Sequence, residues 1–214
     1  MDLEVKEQPL PLRFEVVGPE QGLPSKTVSS FFQDHLGFIW MNSSEGLIKY
    51  DGYDFQTYQY QPDLSKDSLN LIPINFTTIT EDENGTIWVG CKYKNDQNPV
   101  LLYFDRKKDK LVPYLNLIEQ DPTLIENTIQ HIVFHKGNMW LLLIDPYFQT
   151  SIFRMPTTHF QPDQPTVDEL SFEVIKNKEK GLGSYINFFY KDSKDNFWLP
   201  SFDGFYEWMP DRDT

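Results

Sequence analysis

Short stretches in which apolar and polar residues alternate, each closed by a polar turn, run through the chain from Arg13 to Trp208. Alternation with a period of two places successive side chains on opposite faces and predicts half-buried β-strands. The pattern predicts a first set of strands at 27–33, 38–42, 47–50 and 55–58, and a second at 76–80, 86–90, 100–104 and 111–114. A third set starts at residue 129 and continues at 139–143, 152–155 and 172–175. The fourth, at 185–190, 197–200 and 204–208, is one strand short. Helical periodicity is confined to 115–124, where Asp121-Pro122 limits it to a turn or two.

The four sets share a register. Asp34, Gly37 and Trp40 recur as Asp82, Gly85 and Trp88, with the aspartate six and the glycine three residues before the tryptophan. The third copy keeps Gly137 and Trp140 without the aspartate, and the fourth keeps Asp192 and Trp198 with Asp195 in the glycine's place. Tryptophan-to-tryptophan steps of 48, 52 and 58 residues indicate stacked blades or solenoid coils. Turn chemistry accounts for the spacing: an aspartate accepts bonds from the amides that follow it, and glycine tolerates the positive φ that closes a short hairpin. Recurrence at one position of each repeat assigns the four tryptophans to the core, not to sugar platforms.

The expected organisation is all-β: a flexible lead-in at 1–12, then one domain over 13–214 with repeats near 22–60, 70–115, 127–176 and 184–210. The alternating stretch 13–17 precedes the first repeat and is expected to supply the missing strand of the last one, in the same chain or in a partner, an arrangement that removes edge strands.

Aromatic residues make up 15% of the 214, including five Trp and seventeen Phe, more than a disordered chain carries. The net charge of −13 disfavours a polyanion, so no nucleic-acid partner is expected. The basic run 106–110 reads as a solvated hairpin tip. Cys91 is the single cysteine, which rules out an intrachain disulfide and a thiolate cluster. No apolar run approaches the roughly 18 residues of a membrane helix, and residues 1–7 lack the basic-then-apolar order of a signal peptide, so the chain as given reads as soluble.

Catalytic chemistry has little to stand on. No phosphate loop, nucleophile elbow, zinc signature or kinase motif is present, and no pair among the thirty-two acids stands out for glycoside cleavage. His131 and His135 share a strand face but lack a third ligand, which reads as a surface or edge pair. Asp192 to Asn196 has the oxygens of a calcium loop, but Lys194 interrupts it. No metal and no cofactor is expected. Recognition is to be sought where the copies disagree, in 91–99, 145–150 and 157–170, with Tyr93, Tyr147, Phe148 and His159 as the candidate ligand-binding residues.

The run Gly22-Leu23-Pro24-Ser25, then Asp34 with Gly37-Phe38-Ile39-Trp40, then residues 45–52, resembles the two-component regulator propeller repeat, as do Glu81-Asp82, residues 85–90 and Tyr103-Phe104-Asp105. The resemblance is specific in the first two repeats and weak in the third. It implies a β-propeller of four-stranded antiparallel blades, about four here: a four-bladed ring, half of a two-chain ring, or a partial propeller. Closure is the expectation, because end blades otherwise expose apolar faces. It further implies a non-catalytic periplasmic sensor portion of a hybrid two-component system that detects oligosaccharides from a glycan and signals by conformational change. A propeller-fold glycan lyase or hydrolase, or an assembly module, is the alternative. A homodimer or contact with further blades is the expected assembly.

Overall fold

The computed structural model describes residues 13–60, 75–92, 99–116, 126–157, 173–176, 185–186 and 188–209. The lead-in at 1–12, Tyr93, His159 and most of the helix candidate fall outside them. Four antiparallel sheets stand in sequence. Blade 1 consists of β1 (Val28–Gln33), β2 (Ile39–Ser43), β3 (Gly46–Tyr50) and β4 (Phe55–Tyr58). Blade 2 holds β5 (Asn75–Glu81), β6 (Ile87–Lys92), β7 (Pro99–Asp105) and β8 (Lys110–Asn116). Blade 3 holds β9 (Thr128–His135), β10 (Asn138–Ile144), β11 (Thr150–Pro156) and β12 (Glu173–Lys176). Blade 4 is three-stranded among the described residues: β13 (Tyr190–Lys191), β14 (Phe197–Ser201) and β15 (Gly204–Trp208). Within each blade every strand pairs with its sequence neighbour. The propeller architecture is thus realised, and the predicted strands lie within a few residues of the observed ones except the first of blade 4, which shrinks to Tyr190–Lys191.

The Asp-to-Trp spacing has a structural cause beyond the turn. Asp34 Oδ1 accepts the amides of Leu36 and Phe38 at 3.1 and 2.9 Å, while Oδ2 accepts the Trp40 indole N–H at 2.9 Å. Asp82 repeats the pattern with the Asn84 and Thr86 amides and the Trp88 indole, all at 2.9 Å. Asp192 does so with Lys194, Asn196 and, at 3.1 Å, Trp198. One carboxylate therefore shapes the β-hairpin turn and satisfies the buried end of the tryptophan two residues into the next strand. Burial alone would raise the Asp34 carboxyl, but the bonds from Trp40, Arg106 and the Phe38 amide, with the Arg106 charge, outweigh it and hold it below the usual carboxylate range. Blade 3 turns differently: Lys136 and Gly137, at φ 46° and 70°, form a two-residue hairpin between the paired His135 and Asn138. Phe134 stands six residues before Trp140, and the buried Trp140 Nε1 finds no acceptor among the described residues.

Strand alternation fixes which face meets which neighbour. Trp40 packs with Ile87, Val89 and Leu102 of blade 2. Trp88, on the opposite face of blade 2, packs with Ile129, Leu141 and Phe153 of blade 3. Trp140 packs with Phe189, Phe197 and Leu199 of blade 4. Each tryptophan thus points to the blade that follows, and each seam is a separate apolar cluster. His131 and His135 sit on the blade 3 face of the last seam: the Phe189 amide donates to His131 Nδ1 at 3.3 Å, and His135 meets the Phe197 ring at 4.9 Å. They are inter-blade packing residues, not the surface pair the sequence suggested.

Closure within one chain is not seen among the described residues. Residues 13–17 form no strand and are exposed throughout, with Phe14 86% accessible, so they do not complete blade 4 within the chain. No apolar cluster among the described residues joins blade 4 to blade 1, and Phe31 and Phe205, on the two outer faces, are 78% and 73% accessible. The described blades form an open arc, a partial propeller, with residues 13–17 ahead of blade 1 in the chain.

Candidate functional site

The meander puts the turn between the second and third strands of each blade at one end, together with the links between blades. At this end blades 3 and 4 carry a group of exposed aromatic rings. In blade 3 the turn runs from Asp145 to Gln149, with Asp145 Oδ1 accepting the Tyr147 and Gln149 amides at 2.8 and 2.7 Å. The Phe148 amide donates to the Asp145 carbonyl at 3.0 Å. This is the same Asp turn as at Asp34 and Asp82, with Phe148 (φ 60°) in the left-handed position that Gly37 and Gly85 fill there. A bulky side chain in that conformation carries strain of order 1–3 kcal/mol, a feature that concentrates at functional sites.

Phe148 does not stand alone. Tyr185, in the link to blade 4, also has positive φ, at 58°, and donates its amide to the Phe148 carbonyl at 3.1 Å. The next amide, Ile186, donates to the buried Thr150 hydroxyl at 3.0 Å, which pins the link to β11. The Phe148 and Tyr185 rings meet edge to face at 5.1 Å, and Tyr185 stacks on Phe202 of the β14–β15 turn at 4.7 Å with 19° between planes. Tyr147, Phe148 and Phe202 are 82%, 56% and 75% accessible. The result is a rigidly anchored aromatic step, open to solvent.

Of the four candidates, Tyr147 and Phe148 are therefore in one place, and both are exposed. Tyr185 and Phe202 were missed by sequence reasoning. The available signal was an aromatic residue inside a predicted turn at Phe202; Tyr185 was absorbed into a predicted strand.

The opposite end carries polar chemistry of a different kind. Arg106 Nη2 reaches Asp34 Oδ2 at 2.8 Å and Glu81 Oε1 at 3.3 Å, and its Nε donates to the Gly85 carbonyl at 3.1 Å. The His35 amide donates to Glu81 Oε2 at 2.9 Å, and His35 Nδ1 lies 2.6 Å from Glu81 Oε1. Every partner here is another residue of the seam between blades 1 and 2, so the group is a clasp between blades. Arg106, expected as part of a solvated tip, is partly buried in it. Between blades 2 and 3 a cleft lined by Asp82, Trp88, Tyr114, Phe134 and Met155 encloses about 40 Å³. That is far below the roughly 300–1,000 Å³ of small-molecule sites. Among the described residues no group of three or more His, Cys, Asp or Glu is placed to hold a metal.

Residues 70–93 match the family described as two component regulator propeller. That stretch covers the first hairpin of blade 2, where the Asp82–Trp88 bond lies. Among solved structures the chain is similar to an extracellular domain assigned to the hybrid two component system BT4673 of B. thetaiotaomicron, at 14% identity and TM-score 0.59, over 87% of this chain and 22% of that one. A second similar structure is the extracellular domain assigned to the hybrid two component system BT3049 of the same organism, at 19% identity and TM-score 0.51, over 94% and 31%. A third, described as a gluconolactonase, has 10% identity and TM-score 0.56 over 86% and 60%. At these identities the likeness is one of fold. The chain spans 22% and 31% of the two extracellular domains' chains. Among curated proteins nothing matches it.

Proposed function

We propose that the chain is an extracytoplasmic, periplasmic sensor portion of a hybrid two-component system, and that it binds glycan-derived oligosaccharides without cleaving them. The observation that carries this reading is the exposed Phe148–Tyr185–Phe202 step, with two aromatic residues held at positive φ. Flat aromatic faces beside a solvent-open turn suit the apolar C–H face of a pyranose ring, whose hydroxyls stay hydrated at the rim. A net charge of −13 favours neutral sugars over uronate-rich or sulfated ones. The match at 70–93 and the likeness to extracellular domains of two component systems support the sensor role. Signalling would follow from differential affinity, since only a ligand that prefers one arrangement of blades or protomers shifts the balance between them.

Titration calorimetry against neutral and acidic oligosaccharides tests the proposal. A neutral oligosaccharide is expected to bind, with affinity reduced at least tenfold in Tyr185→Ala and Phe202→Ala while the melting temperature holds. Silence across the panel, or binding indifferent to both substitutions, overturns it. Product formation from a polysaccharide would favour the lyase or hydrolase reading instead.

A further inference from the structure

The first two seams of the propeller correspond position by position. Trp88 pairs with Tyr103 across its sheet and Trp140 with Arg154, so Arg106 and Thr157, each three residues further on, hold the same place in blades 2 and 3. Both lie against the glycine three residues before the tryptophan: Arg106 Nε donates to the Gly85 carbonyl at 3.1 Å, and the Thr157 amide to the Gly137 carbonyl at 2.8 Å. From that place Arg106 reaches back to blade 1, where its Nη2 meets Asp34 Oδ2 at 2.8 Å and its guanidinium carbon lies 6.0 Å from the Trp40 ring centre. Thr157 is too short for such a reach. Asp82, Trp88, Gly137 and Thr157, the counterparts of Asp34, Trp40, Gly85 and Arg106, instead border the cleft of about 40 Å³ between blades 2 and 3.

The charges differ in the same direction. In the first seam the carboxylates of Asp34 and Glu81 face Arg106 and His35. In the second, Glu83 follows Asp82 where His35 follows Asp34, and Phe134, paired with Met139 as Glu81 is with Ile87, takes the place of Glu81. The cleft is thus lined by the carboxylates of Asp82 and Glu83 and, among the described residues, by no lysine, arginine or histidine. Residues 158–172, which follow Thr157 in the chain, contain no lysine or arginine either. Asp82 Oδ2 accepts the Trp88 indole at 2.9 Å just as Asp34 Oδ2 accepts that of Trp40, and Asp34 Oδ2 takes Arg106 in addition. Tyr114 and Phe134 stand 5.0 and 5.9 Å from the Trp88 ring as aromatic walls. A flat cation between such walls and a carboxylate gains from both. At about 10–15 Å³ for one water the cleft has room for roughly three, which suits a single planar four-atom guanidinium and not a whole ligand.

We propose that the cleft between blades 2 and 3 takes up a guanidinium group supplied by a ligand, held by Asp82 and Glu83 against the Trp88 ring as Arg106 is held in the seam before it. This site is separate from the aromatic step, which lies at the other end of the blades and joins blades 3 and 4. The net charge of −13 draws cations toward it.

Agmatine and N-acetylarginine amide present the group free and as in a peptide, while N-acetylcitrulline amide replaces it with a neutral urea. Nitrogen–proton NMR of the full chain follows the Trp88 indole N–H, which lies on Asp82. Saturable shifts of that signal at millimolar concentration are expected with the guanidinium probes and not with the citrulline compound. Glu83→Gln, at an exposed position, should weaken binding about threefold. Thr157→Arg fills the cleft from within and should abolish binding, with a melting temperature at or above that of the parent. A shift with agmatine alone supports the proposal with a free small molecule as ligand, and a shift with the arginine amide as well supports it with an arginine side chain. No shift with either probe, an equal shift with the citrulline compound, or a titration unchanged in both variants overturns it.

Discussion

At the scale of single residues, the bond between an aspartate and a tryptophan six positions on makes a sequence spacing into a physical requirement. Three of the four repeat tryptophans donate their indole N–H to such an aspartate, and Trp140 does not. Trp88→Phe removes a charge-assisted bond and leaves Asp82 Oδ2 without its indole donor, whereas Trp140→Phe gives up no bond among the described residues and keeps a ring beneath the Arg154 guanidinium. Urea unfolding should show Trp88→Phe costing about 1–2 kcal/mol more than Trp140→Phe. Equal losses would remove the indole bond from the account. Sequence reading assigned these tryptophans to the core and the aspartates to the turns and treated the two as separate; Trp40, Trp88 and Trp140 are buried, whereas Trp198 is half-buried and joins no core cluster among the described residues. The link was not legible because a side-chain bond across a hairpin leaves no periodicity of its own. Tyr185 and Phe202 were hidden for a related reason: they are 17 positions apart and meet only once blade 4 has packed on blade 3.

Elements meet at seams with little slack. Gly90 in β6 faces Thr78 of β5 and Ile129 of β9, and a Cβ there would lie 2.7 Å from Thr78 Cγ2 and 2.8 Å from Ile129 Cγ2. Gly90→Ala should lower stability by about 1–3 kcal/mol, measured by thermal or urea unfolding. A neutral effect would mean that the seam between blades 2 and 3 yields easily. The next seam is sensitive to protons. Burial pushes His131 below its ordinary value of 6.5, and its Nδ1 must stay unprotonated to accept the Phe189 amide. In the unfolded chain the same ring takes a proton near 6.5, so its contribution is complete above that pH and is lost as pH falls below it. Melting temperature should therefore drop between pH 7.5 and 5.5, and drop less in His131→Gln. An identical pH response in the variant would assign the loss to other groups.

For the molecule as a whole, strand count and repeat length were legible, and ring closure was not. Residues 13–17 have the alternation of a strand, but alternation does not say which edge a strand will find. What the architecture does settle is how the chain is wired. Every strand pairs with the one next to it in sequence, so nearly all sheet contacts close over short loops. Chains of that kind have low contact order and approximate a one-dimensional row of coupled units, in which folding starts at any unit and spreads to its neighbours. Among the described residues, blade 2 touches two complete four-stranded neighbours, while blade 4 has three strands and one partner. Folding would therefore nucleate in the middle of the arc and reach blade 4 last, so the exposed aromatic step between blades 3 and 4 assembles only in the final stage.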